Sequence, residues 1–115
     1  MEDLNKKTLA LAYMLFEHKA KDVVVIDLRE LAFWTDFFIV GTVTSGAHLA
    51  GLQKRIKDWA REEGFASRSG VKTMPESGWS WTDLGEIVVH LMNEKERNFY
   101  ELENLWSDAK QTRIE

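Results

Sequence analysis

The stretch Asp36-Phe37-Phe38-Ile39-Val40-Gly41-Thr42-Val43, running into Thr44-Ser45-Gly46-Ala47-His48, decides the fold. Its apolar residues follow one another without the alternation of a half-wetted strand, so it reads as a strand largely buried on both faces. Gly41 in its interior marks a bulge or a close approach by another backbone. Ser45 is the best N-cap of a helix that begins at once. Leu49, Leu52, Ile56 and Trp59 form the buried stripe of that helix. Lys54, Arg55, Lys57, Asp58, Arg61 and Glu62 face water, and Gly64 ends the helix as its C′ residue.

Upstream, Val23-Val24-Val25-Ile26 is β-branched throughout and reads as a second strand buried on both faces. Before it, residues 4–18 read as a helix, with Leu4, Thr8, Leu11, Ala12, Leu15 and Phe16 on one face. Leu9, Tyr13 and Met14 widen that face. Arg29 to Trp34 is a short turn or helical segment between the two strands.

Downstream, residues 66–78 are polar and contain Pro75, Gly70 and Gly78, the composition of an exposed, mobile loop. Trp79-Ser80-Trp81-Thr82 alternates large apolar with small polar residues, as a strand with one wet or partner-facing side does. Asp83-Leu84-Gly85 is a turn. Glu86 to Met92 is the returning strand, with Ile87, Val89 and Leu91 on one face and Val88, His90 and Met92 on the other. Together they form a hairpin. Asn93 caps a last helix, with Glu96 at the capping-box position, and Phe99, Leu102 and Trp106 as its main face. The order is α-β-β-α-β-β-α: an α+β sandwich, a mixed β-sheet flanked by helices. Residues 1–107 are one domain, and residues 108–115 a polar tail expected to fray.

Composition narrows the function. A chain of 115 residues with 44% hydrophobic and 30% charged residues is an ordinary globular domain, not a disordered one. It has no cysteine, which removes disulfides and thiolate metal or redox chemistry. No apolar run approaches the ~20 residues of a membrane span. The acidic, polar start Met-Glu-Asp-Leu-Asn has no signal-peptide or transit-peptide character, so the expected location is the cytoplasm. Fifteen basic residues against 19 acidic give a net charge of −4. That argues against a module held to nucleic acid by phosphate neutralisation, and it suits a basic protein as partner.

Candidate chemistry is thin. Gly41 to Gly46 lacks the glycine spacing of a nucleotide-binding loop and reads as a capped helix start. Asp27, Asp36, Asp83 and Glu86 lie near strand ends. Two-metal nucleotidyl transfer needs paired acids facing one way, and Asp83 and Glu86 straddle a turn instead. His18, His48 and His90 have no second ligand at metal-binding spacing. His48, in the first turn of a helix, is expected neutral and hydrogen-bonded; His90 reads as a satisfied sheet-face histidine. Ser45 and His48 have no orienting acid beside them.

Four motifs in order carry a resemblance. They are Trp34-Thr35-Asp36-Phe37-Phe38-Ile39-Val40-Gly41-Thr42, then Thr44-Ser45-x-x-His48, then Trp79-x-x-x-Asp83-Leu84-Gly85-Glu86-Ile87-Val88-Val89-His90, and Arg97-x-Phe99-Tyr100-x-Leu102-Glu103-x-Leu105-Trp106. Over residues 4–107 the chain resembles the ribosomal silencing factor, or Iojap-like, family. The resemblance implies a protein that is not an enzyme and has no cofactor. It would bind ribosomal protein L-fourteen on the joining face of the large subunit, block the small subunit and repress translation when nutrients are scarce. It also implies a nucleotidyltransferase-like fold without the catalytic acids, often dimeric when free. Glu86 departs from the usual Asp, and Gly70-Val71-Lys72-Thr73 from a common Gly-x-Glu-Gly. The expected partner-binding residues are Trp79, Trp81, Asp83, Glu86, His90, Met92 and Tyr100, with no membrane contact and little direct nucleic-acid binding. The alternatives are a nucleotidyltransferase-like enzyme acting on a nucleotide or RNA end, and a scaffold for some other assembly.

Overall fold

The computed structural model describes residues 2–31, 33–71 and 78–114, the side chains of residues 2, 3, 70, 71, 100 and 102 excepted. The elements are α1 (Glu2–Glu17), β1 (Lys21–Asp27), a 3-10 turn (Arg29–Leu31), β2 (Phe37–Thr42), α2 (Gly46–Glu63), β3 (Arg68–Val71), β4 (Trp79–Asp83), β5 (Ile87–Met92), α3 (Glu94–Tyr100), α4 (Leu102–Leu105) and β6 (Lys110–Arg113). Among the described residues, six strands form one sheet in the order β3-β4-β5-β2-β1-β6. β2 and β5 run parallel and the other neighbours antiparallel, so the sheet is mixed, as expected.

Both faces of the central strands are buried, which is why β1 and β2 read as continuous apolar runs. Val23, Val25, Phe37, Ile39, Val89 and Leu91 pack with Leu11 and Leu15 of α1 and Leu52 and Ile56 of α2. On the opposite face Val24, Ile26, Phe38, Val40, Val88 and Met92 form a second core, capped by Phe33, Trp79 and Trp106. Helix ends follow the sequence signals. Ser45 Oγ accepts the His48 N–H at 3.0 Å, and Asn93 Oδ1 accepts the Glu96 N–H at 2.8 Å. Gly64 takes the left-handed conformation at φ 86°, where a side chain is disfavoured.

Several expectations are corrected. The loop expected over 66–78 contains β3, whose Arg68, Ser69, Gly70 and Val71 pair with Asp83, Thr82, Trp81 and Ser80; residues 72–77 lie outside the described ones. The tail expected to fray contains β6, paired with β1, and the buried Ile114 donates its N–H to Val23 O at 2.9 Å. The last helix is not continuous. Glu101 adopts φ 47° and divides it into α3 and α4. The expected main face fails with it. Phe99 is 77% exposed, and Trp106 lies beyond α4, packed on Phe33 at a ring distance of 4.6 Å. Phe16, placed on the buried face of α1, is exposed. Gly41 marks no bulge; the irregularity lies in β1 between Lys21 and Val24. A methyl group at Gly41 would meet side chains, with Ala20 Cβ nearest at 3.6 Å, an ordinary contact.

Candidate partner-binding site

The hairpin register decides what the site contains. Trp79 pairs with Met92, Trp81 with His90 and Asp83 with Val88. Side chains alternate across a strand, so these six residues share one face of the sheet. It is the face away from α1 and α2, because Val89 and Leu91 point into the core those helices cover. The spacing alone left that choice open. β2 adds Phe38, opposite Val88. The result is a groove of about 290 Å³ lined by Trp34, Phe38, Arg68, Trp81, Asp83, Val88 and His90.

The floor of the groove is locked by one hydrogen bond. The Trp79 indole Nε1–H donates to His90 Nδ1 at 3.2 Å. An indole N–H can only donate, so His90 Nδ1 is unprotonated and the proton sits on Nε2. Nε2 is sealed from solvent with no hydrogen-bond partner among the described residues. Burial disfavours the charged ring and holds its pKa at about 4. His90 is therefore a half-satisfied sheet-face histidine rather than the fully satisfied one expected. Phe38 meets its ring edge-on at 4.8 Å.

The carboxylates are arranged by the turn. Gly85 lies at φ 91°, and its N–H donates to Asp83 Oδ1 at 2.7 Å. The other oxygen of Asp83 faces Arg68 Nη2 at 3.5 Å. Glu86 is exposed, and its backbone carbonyl accepts the N–H groups of Asp36 and Phe37 at 3.1 Å. Asp27 is held by Arg29 at 2.8 Å, and that hydrogen bond keeps its carboxyl below the ordinary range. Among the described residues, no group of three or more His, Cys, Asp or Glu could hold a metal ion.

Of the expected partner-binding residues, Trp81, Asp83 and His90 come together in the groove. Trp79 is half-buried and supports His90. Met92 is fully buried in the second core beside Trp79, so it shapes the site from within. Glu86 stands on the adjacent turn. Tyr100 closes α3, and its side chain lies outside the described ones. The sequence reading missed Trp34, which is 63% exposed, and Arg68. Trp34 opens the first of the four motifs, but nothing in its spacing says that it stays uncovered. His48 matches its expectation: Nδ1 accepts the Thr44 N–H at 3.1 Å and Nε2 donates to His18 O at 2.9 Å.

A buried clasp fixes the neighbouring segment. Arg97, only 7% exposed, donates from Nη1 to Thr42 Oγ1 at 2.8 Å and from Nη2 to Glu103 Oε2 at 2.7 Å. Burial, the largest influence, would raise the pKa of Glu103, but the Arg97 hydrogen bonds, a backbone hydrogen bond and the charges of Arg97 and Arg113 together outweigh it and hold the carboxyl below its ordinary range. The clasp ties α3 and α4 to β2 across the break at Glu101.

The sequence and the fold coincide with those of a known family. All of residues 1–115 match the family model described as ribosomal silencing factor during starvation. The chain belongs to that family. It is 31% identical over 93 residues to the ribosomal silencing factor of Bacillus subtilis, covering 81% of this chain and 78% of that protein. It is also 31% identical over 99 residues to mouse mitochondrial assembly of ribosomal large subunit protein 1, covering 84% of this chain but only 43% of the mouse protein. A crystal structure of a protein from Chromobacterium violaceum has the same fold, with a TM-score of 0.76 and 26% identity over 100% of this chain and 92% of that one.

Proposed function

We propose that the protein binds ribosomal protein L-fourteen on the large ribosomal subunit and occupies the space the small subunit needs, repressing translation without chemistry of its own. The observation that carries this reading is the half-open aromatic face, where Trp34, Trp81 and His90 stand beside Asp83 on a domain of net charge −4. Aromatic residues are common binding hot spots, and an acidic domain suits a basic ribosomal protein while avoiding bulk RNA. A steric block needs only a specific interface of roughly 800 Å² per partner. A domain measuring 36 × 32 × 26 Å has faces large enough for one. The name of the mouse relative supports the large subunit as the place of action. Trp79, Trp81, Asp83, Glu86, His90, Met92 and Tyr100 make or support the contact. The protein works in the cytoplasm and pairs with itself when free.

Co-sedimentation tests the reading. The protein should travel with isolated large subunits and not with small ones, and it should lower the fraction of joined ribosomes in a translation extract. Equal recovery with both subunits, or with neither, would sink it. Metal-dependent nucleotide turnover that disappears in Asp83→Asn would replace it with an enzyme.

A further inference from the structure

We infer that the groove over β4, β5 and β2 is a slot for a lysine or arginine side chain of a protein partner, and that Arg68 holds its carboxylate from the groove edge in the free protein. The inference rests on the ribosomal reading for the partner's identity, but its chemistry stands on the groove alone. Phe38 and Val88 offer an apolar wall for an aliphatic stem, and Trp34 and Trp81 line the groove with indole rings, whose faces attract cations. Asp83 supplies the counter-charge. One of its oxygens is committed to Gly85, which leaves the other for the guest. His90 cannot oppose a cation, because accepting the Trp79 hydrogen bond requires its Nδ1 to be unprotonated. An acidic guest would meet Asp83 at close range. An apolar guest would cover Asp83 without pairing it, at the cost of desolvating a carboxylate.

Arg68 shows that a guanidinium can reach that carboxylate. It lines the groove, reaches Asp83 at 3.5 Å and is itself 81% exposed. So exposed a pair is weakly held and readily displaced. Arg68 therefore competes with the partner rather than helping to bind it, and removing it should strengthen binding.

The test is a titration of the full chain with the peptide acetyl-Gly-Arg-Gly-amide, followed by the NMR shifts of the Trp34 and Trp81 indole N–H groups. Acetyl-Gly-norleucine-Gly-amide and a single-stranded adenine oligonucleotide are the comparison probes. Arg68→Ala should raise the affinity for the arginine peptide about threefold, the scale of an exposed ion pair. Asp83→Asn, which keeps an acceptor for Gly85, should erase the preference for arginine over norleucine. The slot is overturned if Arg68→Ala leaves the affinity unchanged or lowers it. It is equally overturned if norleucine binds as well as arginine, or if the oligonucleotide shifts the same indoles more strongly than the arginine peptide. On ribosomes, Arg68→Ala should bind large subunits more tightly than the parent. Failure of the parent to sediment with subunits would count against the ribosomal reading, and the peptide titration would still decide the slot.

Discussion

The two faces of the sheet are built from different chemistry. The face under α1 and α2 is closed with aliphatic residues such as Leu11, Leu15, Ile39, Leu52, Ile56 and Val89. The other is covered with aromatic side chains, crossed by the segment from α3 to β6, and left open where Trp34, Trp81 and His90 meet. Aliphatic packing between a sheet and two long helices leaves little for a partner to touch. Flat rings on a sheet, half covered by a strap, give apolar area together with edges that can hydrogen-bond. On the proposed function, the first face serves stability and the second recognition. This division can be tested one substitution at a time.

The largest effects should come from the closed face and from the clasp that fastens the strap. Leu52→Ala should cost about 3–4 kcal/mol through lost burial and the cavity left behind. Glu103→Ala should cost about 3–5 kcal/mol, because Arg97 would remain buried without its carboxylate. Urea denaturation measures both. A Glu103→Ala variant as stable as the parent would mean that the strap is not fastened by this pair.

Next comes the floor of the open face. Between pH 6.5 and about 4 the unfolded chain takes up a proton that the buried ring of His90 refuses, so stability falls as pH falls through that window. By pH 5, before most carboxylates titrate, the loss should reach about 2 kcal/mol. His90→Gln keeps a hydrogen-bond acceptor for Trp79 and cannot titrate, so its melting temperature should lack this part of the pH slope. An unchanged slope would place the pH sensitivity elsewhere. Trp79→Ala should lose about 3 kcal/mol of stability and also weaken subunit binding, since it both packs the second core and fixes His90.

These expectations show which parts of the molecule were legible in sequence. β1, β2 and the hairpin were, because each buries its own side chains, and burial leaves a pattern of runs and alternation. The two edge strands were not. Lys110-Gln-Thr-Arg is exposed throughout, and Arg68-Ser-Gly-Val carries no apolar run or alternation; both are strands because Val24 to Asp27 and Asp83 to Ser80 hold out a ladder beside them. The break at Glu101 was hidden for a similar reason. Glutamate has no preference for the left-handed region, and the clasp from Arg97 to Glu103 spans the turn from outside it. The site was half legible. The Trp79 and Trp81 alternation put both rings on one face, while the register that sets His90 opposite Trp81 is seen only in the structure. Whether that face is covered depends on where the strap crosses, which is a tertiary fact. Hence the sequence does not single out Trp34 and Arg68, and Met92, expected at the partner contact, lies in the second core.

The smallest effect on stability should accompany the clearest effect on binding. Trp34 on the open face and Tyr13 on the helical side are both large aromatics with much of their surface in water, 63% and 47% exposed. Replacing either with alanine should change stability by no more than about 0.5 kcal/mol. Binding should separate them. Trp34→Ala should weaken large-subunit binding by about 2 kcal/mol, roughly 30-fold, as hot-spot truncations do, while Tyr13→Ala should bind like the parent. Tyr100→Ala and the double variant Asp83→Lys/Glu86→Lys should side with Trp34→Ala. If Tyr13→Ala loses binding and the open-face variants keep it, the partner docks on the helical side, and the aromatic face is simply a second core with thinner cover.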